Sequence, residues 1–317
     1  MHAHAHRTFL AALALCALIG TALAQPPATE SGFVDVEDDV RLFYQRFGTG
    51  TPTVFIPNRL ELTPSFATLL AHHDVVTWDP RGRGLSSRPD DLSRYSLDAE
   101  LADAEVLRRH FGAERVTYVG ISLWANVAML YAARHPESVA GVVALGSFPI
   151  TAELEAPPAE PIVHDLAAAV AEMEAMRADG RDRTERYAFC VLDKLVTFAD
   201  SYVSLDHMAP FHAANVCQYR NEHPDMIMPV IFEGIFGSFG EWDWRADMAR
   251  VQAPVLLIHG DRDWSLEGVR AHVDHLPDVE WVLVPDASHH VWNDRPDVVL
   301  PMMDAFFGRV RDGGSIR

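Results

Sequence analysis

Apolar and polar positions alternate over residues 33–47, and Glu37, Asp38 and Asp39 interrupt the alternation in its middle. A period of two marks a strand with one face on a core, and a polar interruption turns the chain, so this segment predicts a β-hairpin. Beyond it, short β-rich runs (53–56, 75–78, 116–120, 142–146) alternate with stretches of helical character (63–72, 97–111, 123–134). That rhythm predicts a mostly parallel central sheet with helices on both faces, an α/β class of fold. From about residue 149 the rhythm breaks. Residues 150–245 hold helical runs (162–177, 183–203), Pro and Gly punctuation and many aromatics, but no apolar strand followed by a crossover helix. They predict an inserted helical cap. Alternation returns with strand 255–259, helix 266–275, strand 280–284 and helix 298–310, so the core is expected to comprise residues 32–149 and 246–312.

With 317 residues and 49% apolar composition, the chain can bury one sizeable core without metals or many disulfides. A formal net charge of −19 with no Lys/Arg cluster argues against nucleic acid and anionic membrane surfaces as partners. Residues 1–24 read as a secretory signal: Arg7, an apolar run over 9–19, then Ala22, Leu23 and Ala24 as a small-residue cleavage site. A periplasmic or secreted protein without stable membrane insertion is expected. Cys190 and Cys217 remain in the mature chain, and the sequence leaves open whether they pair or stay as two buried thiols. His2, His4 and His6 fall in the signal and the other histidines lack ligand spacing, so no metal or other cofactor is expected. Oligomeric state leaves no mark in the sequence.

Three positions carry chemistry. In VTYVGISLWANVAMLYAAR, Ser122 stands between an apolar strand and an amphipathic helix, where a sharp turn holds its Oγ out over the sheet. Gly120 relieves the crowding, but Trp124 occupies the place of the second glycine in GxSxG, and Ala125 is the next small residue. APVLLIHGDRDW delivers Asp263 past a strand end, and WVLVPDASHHVWNDRP delivers His289 past another. A carboxylate there can orient an imidazole that acts as base toward the serine. Asp261 competes with Asp263 and His290 with His289; the spacing to Trp292 and Pro296 favours His289, and Asp261 suits a turn-capping role.

These segments, together with DPRGRGLS at residues 79–86, resemble the α/β-hydrolase fold superfamily, in particular serine hydrolases related to proline iminopeptidases. The resemblance implies acyl transfer, with Ser122 as nucleophile, His289 as base and Asp263 as acid. One departure is FIPNRLEL at residues 55–62, where Pro57 and Asn58 replace the family's His-Gly and Arg59 follows. Backbone donors survive side-chain changes, so the N–H groups of Arg59 and Leu123 are expected to form the oxyanion hole, with the Asn58 side chain as an alternative donor. Asp79, Arg81 and Gly82 are read as structural. The other departure, Trp124, is a substrate wall or core packing, and Trp292 is expected beside the same pocket. Cap aromatics including Phe211, Phe232, Phe236, Phe239, Trp242 and Trp244 suit a compact hydrophobic substrate. In the family the insertion selects the substrate, and a peptidase would need a cap carboxylate for the substrate ammonium, with Glu222 the first choice. The implied activity is cleavage of an ester or amide of a small molecule or short peptide. An aminopeptidase and a degenerate homologue that only binds its ligand are the alternatives.

Overall fold

The computed structural model describes residues 26–51 and 53–311, so the signal expected at residues 1–24 lies outside the described residues. Eight strands form one sheet: β1 (Glu30–Glu37), β2 (Val40–Phe47), β3 (Val54–Pro57), β4 (Val75–Trp78), β5 (Val116–Ile121), β6 (Val139–Leu145), β7 (Val255–Gly260) and β8 (Val279–Val284). Their order is β1-β2-β4-β3-β5-β6-β7-β8. The β1–β2 hairpin turns at Asp38 and Asp39 as its alternation predicts, and β2 meets β4 antiparallel. All remaining pairs are parallel. Every residue of β3, β4, β5 and β7 is buried, because helices cover both faces of a parallel sheet.

The principal helices are α1 (Arg59–Ser65), α2 (Ala67–His72), α3 (Leu97–His110), α4 (Leu123–Arg134), α5 (Ala167–Asp179), α6 (Arg186–Phe198) and α7 (Pro296–Arg311). α3 and α4 seal one face through Leu101, Leu107, Val127 and Met129, while α1, α2 and α7 seal the other through Leu62, Leu69, Met303 and Phe306. The helix expected over 63–72 starts earlier and is broken in two. Phe66 leaves helical angles (φ −104°, ψ 17°), and its fully buried ring packs edge-on against Trp292 at 6.4 Å.

Between β6 and β7 the chain makes α5, α6 and a series of short helical turns, including a π-helical stretch at Pro229–Ile235. The chain entering this insertion pairs with the chain leaving it: Ala152 N–H donates to Trp242 O and Trp244 N–H to Ile150 O, each at 3.0 Å. α5 and α6 bury Met173, Met176 and Phe189 between them. Cys190 of α6 is joined to Cys217 by a disulfide, which decides between the two states that the sequence left open.

Candidate active site

β5 runs directly into α4, and the joint is Ser122, with φ 50° and ψ −128°. Residues with a Cβ rarely adopt these angles, and such strain persists only where the surroundings impose it. The close start of α4 imposes it here: a Cβ on Gly120 would run into the Trp124 carbonyl and stand 2.6 Å from the Cα of Ala125. Ser122 N–H donates to Leu145 O at 2.9 Å, which fixes the turn beside the end of β6. The next residue, Gly146, has φ 53°, and a Cβ there would stand 2.7 Å from His289 O and 3.2 Å from its Nδ1. Adjacent residues at one strand end therefore bring Ser122 and the His289 loop together.

His289 and Asp263 are paired. His289 Nδ1 lies 3.0 Å from Asp263 Oδ2 and 3.2 Å from Oδ1, and Trp264 N–H donates to Oδ1 at 2.7 Å. From β7, His259 Nε2 sits 3.3 Å from Asp263 Oδ2 and 3.2 Å from Trp264 O. Two acceptors face that nitrogen, so it carries a proton; burial lowers the pKa of the imidazole and keeps it neutral. Burial works against the Asp263 charge, but the neighbouring His289 and His259 and the hydrogen bonds from His289 and Trp264 outweigh it and hold the carboxyl below its ordinary range. For His289 burial opposes the proton, and the Asp263 charge and hydrogen bond prevail, raising its pKa above 6.5.

The two competing residues are placed elsewhere. His290 is buried, its Nδ1 bonded to the Tyr202 hydroxyl, and burial together with the neighbouring His289 keeps it neutral, with a pKa well below 6.5. Asp261 is exposed and caps its loop by accepting from Ala287 N–H at 3.4 Å.

Trp264 was not singled out in the sequence, although it directly follows Asp263. Its indole Nε1 lies 3.3 Å from His289 Nδ1. Nδ1 cannot both accept from the indole and donate to the carboxylate, and the bond to an ionised acceptor is the stronger. The indole N–H is thus a spare donor beside the imidazole. Its ring meets Phe148 edge-on at 4.9 Å, Phe148 stacks on Phe236 at 5.4 Å, and Phe236 contacts the exposed Phe232 at 5.2 Å. This aromatic row runs from His289 to the surface of the π-helical stretch.

At the end of β3, Asn58 adopts the left-handed region (φ 60°, ψ 46°), which asparagine tolerates better than most residues and which explains how it replaces a glycine. Asn58 Oδ1 accepts from Arg83 at 2.9 Å, while its buried Nδ2 has no partner among the described residues. Arg59 opens α1, so its N–H has no intrahelical acceptor, and its guanidinium is anchored on Asp79 at 2.9 and 2.7 Å. Leu123 N–H, the first of α4, is equally free of an intrahelical acceptor.

Three residues expected at the pocket have other partners. Trp124 is buried among core residues; its indole donates to Glu100, whose carboxyl is pushed up to about 7 by burial, and Arg83 lies over its ring at 5.3 Å. Trp292 is buried in the opposite core layer, stacked on His290 at 4.8 Å. Glu222 is buried and committed, accepting from Gly84 N–H at 2.8 Å and Arg83 at 3.3 Å. Burial among apolar neighbours drew in the two indoles, and a buried guanidinium claimed the carboxylate. Among the described residues no cluster of three or more His, Cys, Asp or Glu side chains is arranged to hold a metal ion, and no helix is long and apolar enough to cross a membrane.

Residues 55–296 match the family described as alpha/beta hydrolase fold, and the chain belongs to that family. It is an enzyme of the hydrolase class that the family defines. The chain is 22% identical over 288 residues to the serine hydrolase BPHL of Mus musculus, covering 87% of this chain and 83% of that protein. It is also 22% identical over 245 residues to a proline iminopeptidase of Saccharolobus solfataricus, covering 75% of this chain and 76% of the relative. Among solved structures, the esterase EaEST from Exiguobacterium antarcticum superposes with a TM-score of 0.63 at 16% identity, over 88% of this chain and 100% of that one.

Proposed function

We propose that the protein is an exported serine hydrolase that cleaves an ester or amide bond of a small hydrophobic substrate through an acyl-enzyme intermediate. The observation that carries this reading is the strained Ser122 turn set beside the His289–Asp263 pair over Leu145 and Gly146. As Ser122 Oγ bonds to the substrate carbonyl carbon, His289 Nε2 takes its proton and the carbonyl electron pair moves onto oxygen. Arg59 N–H and Leu123 N–H receive that oxyanion, with Asn58 Nδ2 at hand as a further donor. Collapse expels the leaving group, which takes the proton from His289, and water repeats the sequence on the acyl-enzyme. Asp263 holds Nδ1–H throughout and stabilises the imidazolium.

The row of Trp264, Phe148 and Phe236 supports a hydrophobic substrate group. Relatives named as esterase and as proline iminopeptidase leave both bond types in view. Because both Glu222 oxygens are engaged, the ester reading is favoured over a peptidase that would need this residue for a substrate ammonium. Export is supported by the signal pattern of residues 1–24 and by the Cys190–Cys217 disulfide, which suits an oxidising compartment.

A fluorophosphonate probe should label the purified protein at Ser122 and leave Ser122→Ala unlabelled. Turnover of aryl esters, lactones and aminoacyl anilides then ranks the substrate classes. Absence of labelling in the folded parent would sink the serine-hydrolase reading and leave a ligand-binding homologue.

A further inference from the structure

A set of polar contacts between the insertion and the core converges on the loop that carries His289, and both neighbours of that histidine are held. Ser288 Oγ donates to the Asp200 carbonyl at 2.9 Å. His290 N–H donates to the Ser201 carbonyl at 2.9 Å, and the Tyr202 hydroxyl is bonded to His290 Nδ1. Behind them lies Asp294, whose side chain is 0% exposed. One of its donors comes from the catalytic loop, Ser288 N–H at 2.8 Å. Two come from the insertion: Val203 N–H at 3.2 Å and His207 Nδ1 at 2.7 Å. A buried carboxylate is stable only with such donors, and each charge-assisted bond is directional, so the carboxylate fixes the groups that it gathers.

We infer that residues 200–207 of the insertion are the seat on which the His289 loop rests, with Asp294 as its hub and Tyr202 and His207 as positioning residues for the base. The inference rests on the reading of His289 as base given above. The insertion then does more than cover the substrate. A displacement of residues 200–207 that parts Val203 and His207 from Asp294 also parts Ser288 Oγ from Asp200 and His290 from Ser201 and Tyr202, so that seating of the cap and alignment of the imidazole rise and fall together. A shift of this loop by about 1 Å is enough to slow the reaction substantially.

The test reads the imidazole itself. In ¹⁵N-labelled full-length protein, the His289 Nδ1–H proton bonded to Asp263 is observed by NMR and assigned by its loss in His289→Ala. His207 is partly exposed, so His207→Ala should keep the fold, checked by circular dichroism, while it broadens or abolishes that resonance and slows fluorophosphonate labelling of Ser122 about tenfold. His207→Asn, whose amide nitrogen takes the place of the imidazole Nδ1, should restore both readouts. Tyr202→Phe should weaken them while the protein still melts cooperatively, a few degrees lower because His290 Nδ1 loses its buried partner. An unmoved resonance and unchanged labelling in His207→Ala and Tyr202→Phe would overturn the inference. A parent protein that shows the resonance but no labelling would remove the serine-hydrolase reading alone, because the response of the resonance still decides the seat.

Discussion

Replacing Asp263 with Asn keeps the shape of the side chain while removing its charge, and the surrounding donors dictate how the amide must lie. Oδ1 receives Trp264 N–H at 2.7 Å, a backbone donor that cannot move away, so an NH₂ group in that place would oppose it. The amide nitrogen is therefore forced to the Oδ2 side, where it faces His289 Nδ1 at 3.0 Å and gives up the contact with His259 Nε2 at 3.3 Å, a nitrogen that can still donate to Trp264 O at 3.2 Å. His289 must then accept at Nδ1 and carry its proton on Nε2, which leaves no base for the Ser122 hydroxyl. The expected loss in kcat/KM at neutral pH is about 10³–10⁴-fold, or about 4–5 kcal/mol of transition-state stabilisation. The pH profile supplies an independent readout. A raised His289 pKa must be passed before the imidazole can act as base, so the acid limb of the parent should lie above 6.5 and move to lower pH in Asp263→Asn. Stability should respond too. The lowered pKa of Asp263 makes its ionised form stabilising at pH above 3.8, and that contribution is lost as pH falls through the lowered value, so the variant should be weaker near neutrality and less sensitive to acid. The assay is hydrolysis of the best ester from the panel between about pH 5 and 9, with urea denaturation alongside. A loss under about tenfold in a folded variant, or an acid limb that stays in place, would refute the assignment; Asp261→Asn, at an exposed loop position, is the control and should retain activity.

Asn58→Gly should retain hydrolysis within about threefold if backbone donors dominate the oxyanion hole, whereas a loss of about 10²-fold would transfer that role to the Asn58 amide. Asn58→Ala, placed at φ 60°, should be less stable than Asn58→Gly by about 1 kcal/mol in urea denaturation. Trp264→Phe should leave the acid limb unmoved, because Asp263 and not the indole holds the Nδ1 proton; a shifted limb would show that the indole sets the tautomer. Non-reducing mass spectrometry of the purified, unreduced protein should find no alkylatable thiol at Cys190 or Cys217, and replacing both with Ala should destabilise the protein by about 3.5 kcal/mol for a sequence separation of 27. Two alkylatable thiols in that protein would remove the bridge.

Much of the architecture was legible along the chain because it depends on local periodicity. The hairpin over 33–47 follows from apolar spacing that neighbours in sequence decide, and α4 keeps the expected bounds 123–134, although burial of every residue from Leu123 to Ala133 makes it a core helix and not the amphipathic one expected. Ser122, Asp263 and His289 could be singled out because each sits just past an apolar strand, at the carboxyl edge where an open α/β sheet exposes its loops. Periodicity also misplaced boundaries, as at Phe66, where the chain leaves helical angles and divides the helix expected over 63–72.

The spacing along the chain favoured His289 over His290, but only tertiary structure supplied their partners, Asp263 for the one and Tyr202 for the other, since these come from elements far apart in the chain. It also decided the fates of Trp124, Trp292 and Glu222. An indole or a carboxylate reads the same in sequence whether it faces a substrate or a buried partner, and Glu100, His290 and Arg83 became those partners only once the sheet and the insertion had closed around them. The pairing of Cys190 with Cys217 and the seating of the His289 loop on residues 200–207 belong to the same class. Each needs two surfaces brought together by folding, and no local pattern encodes the distance between them.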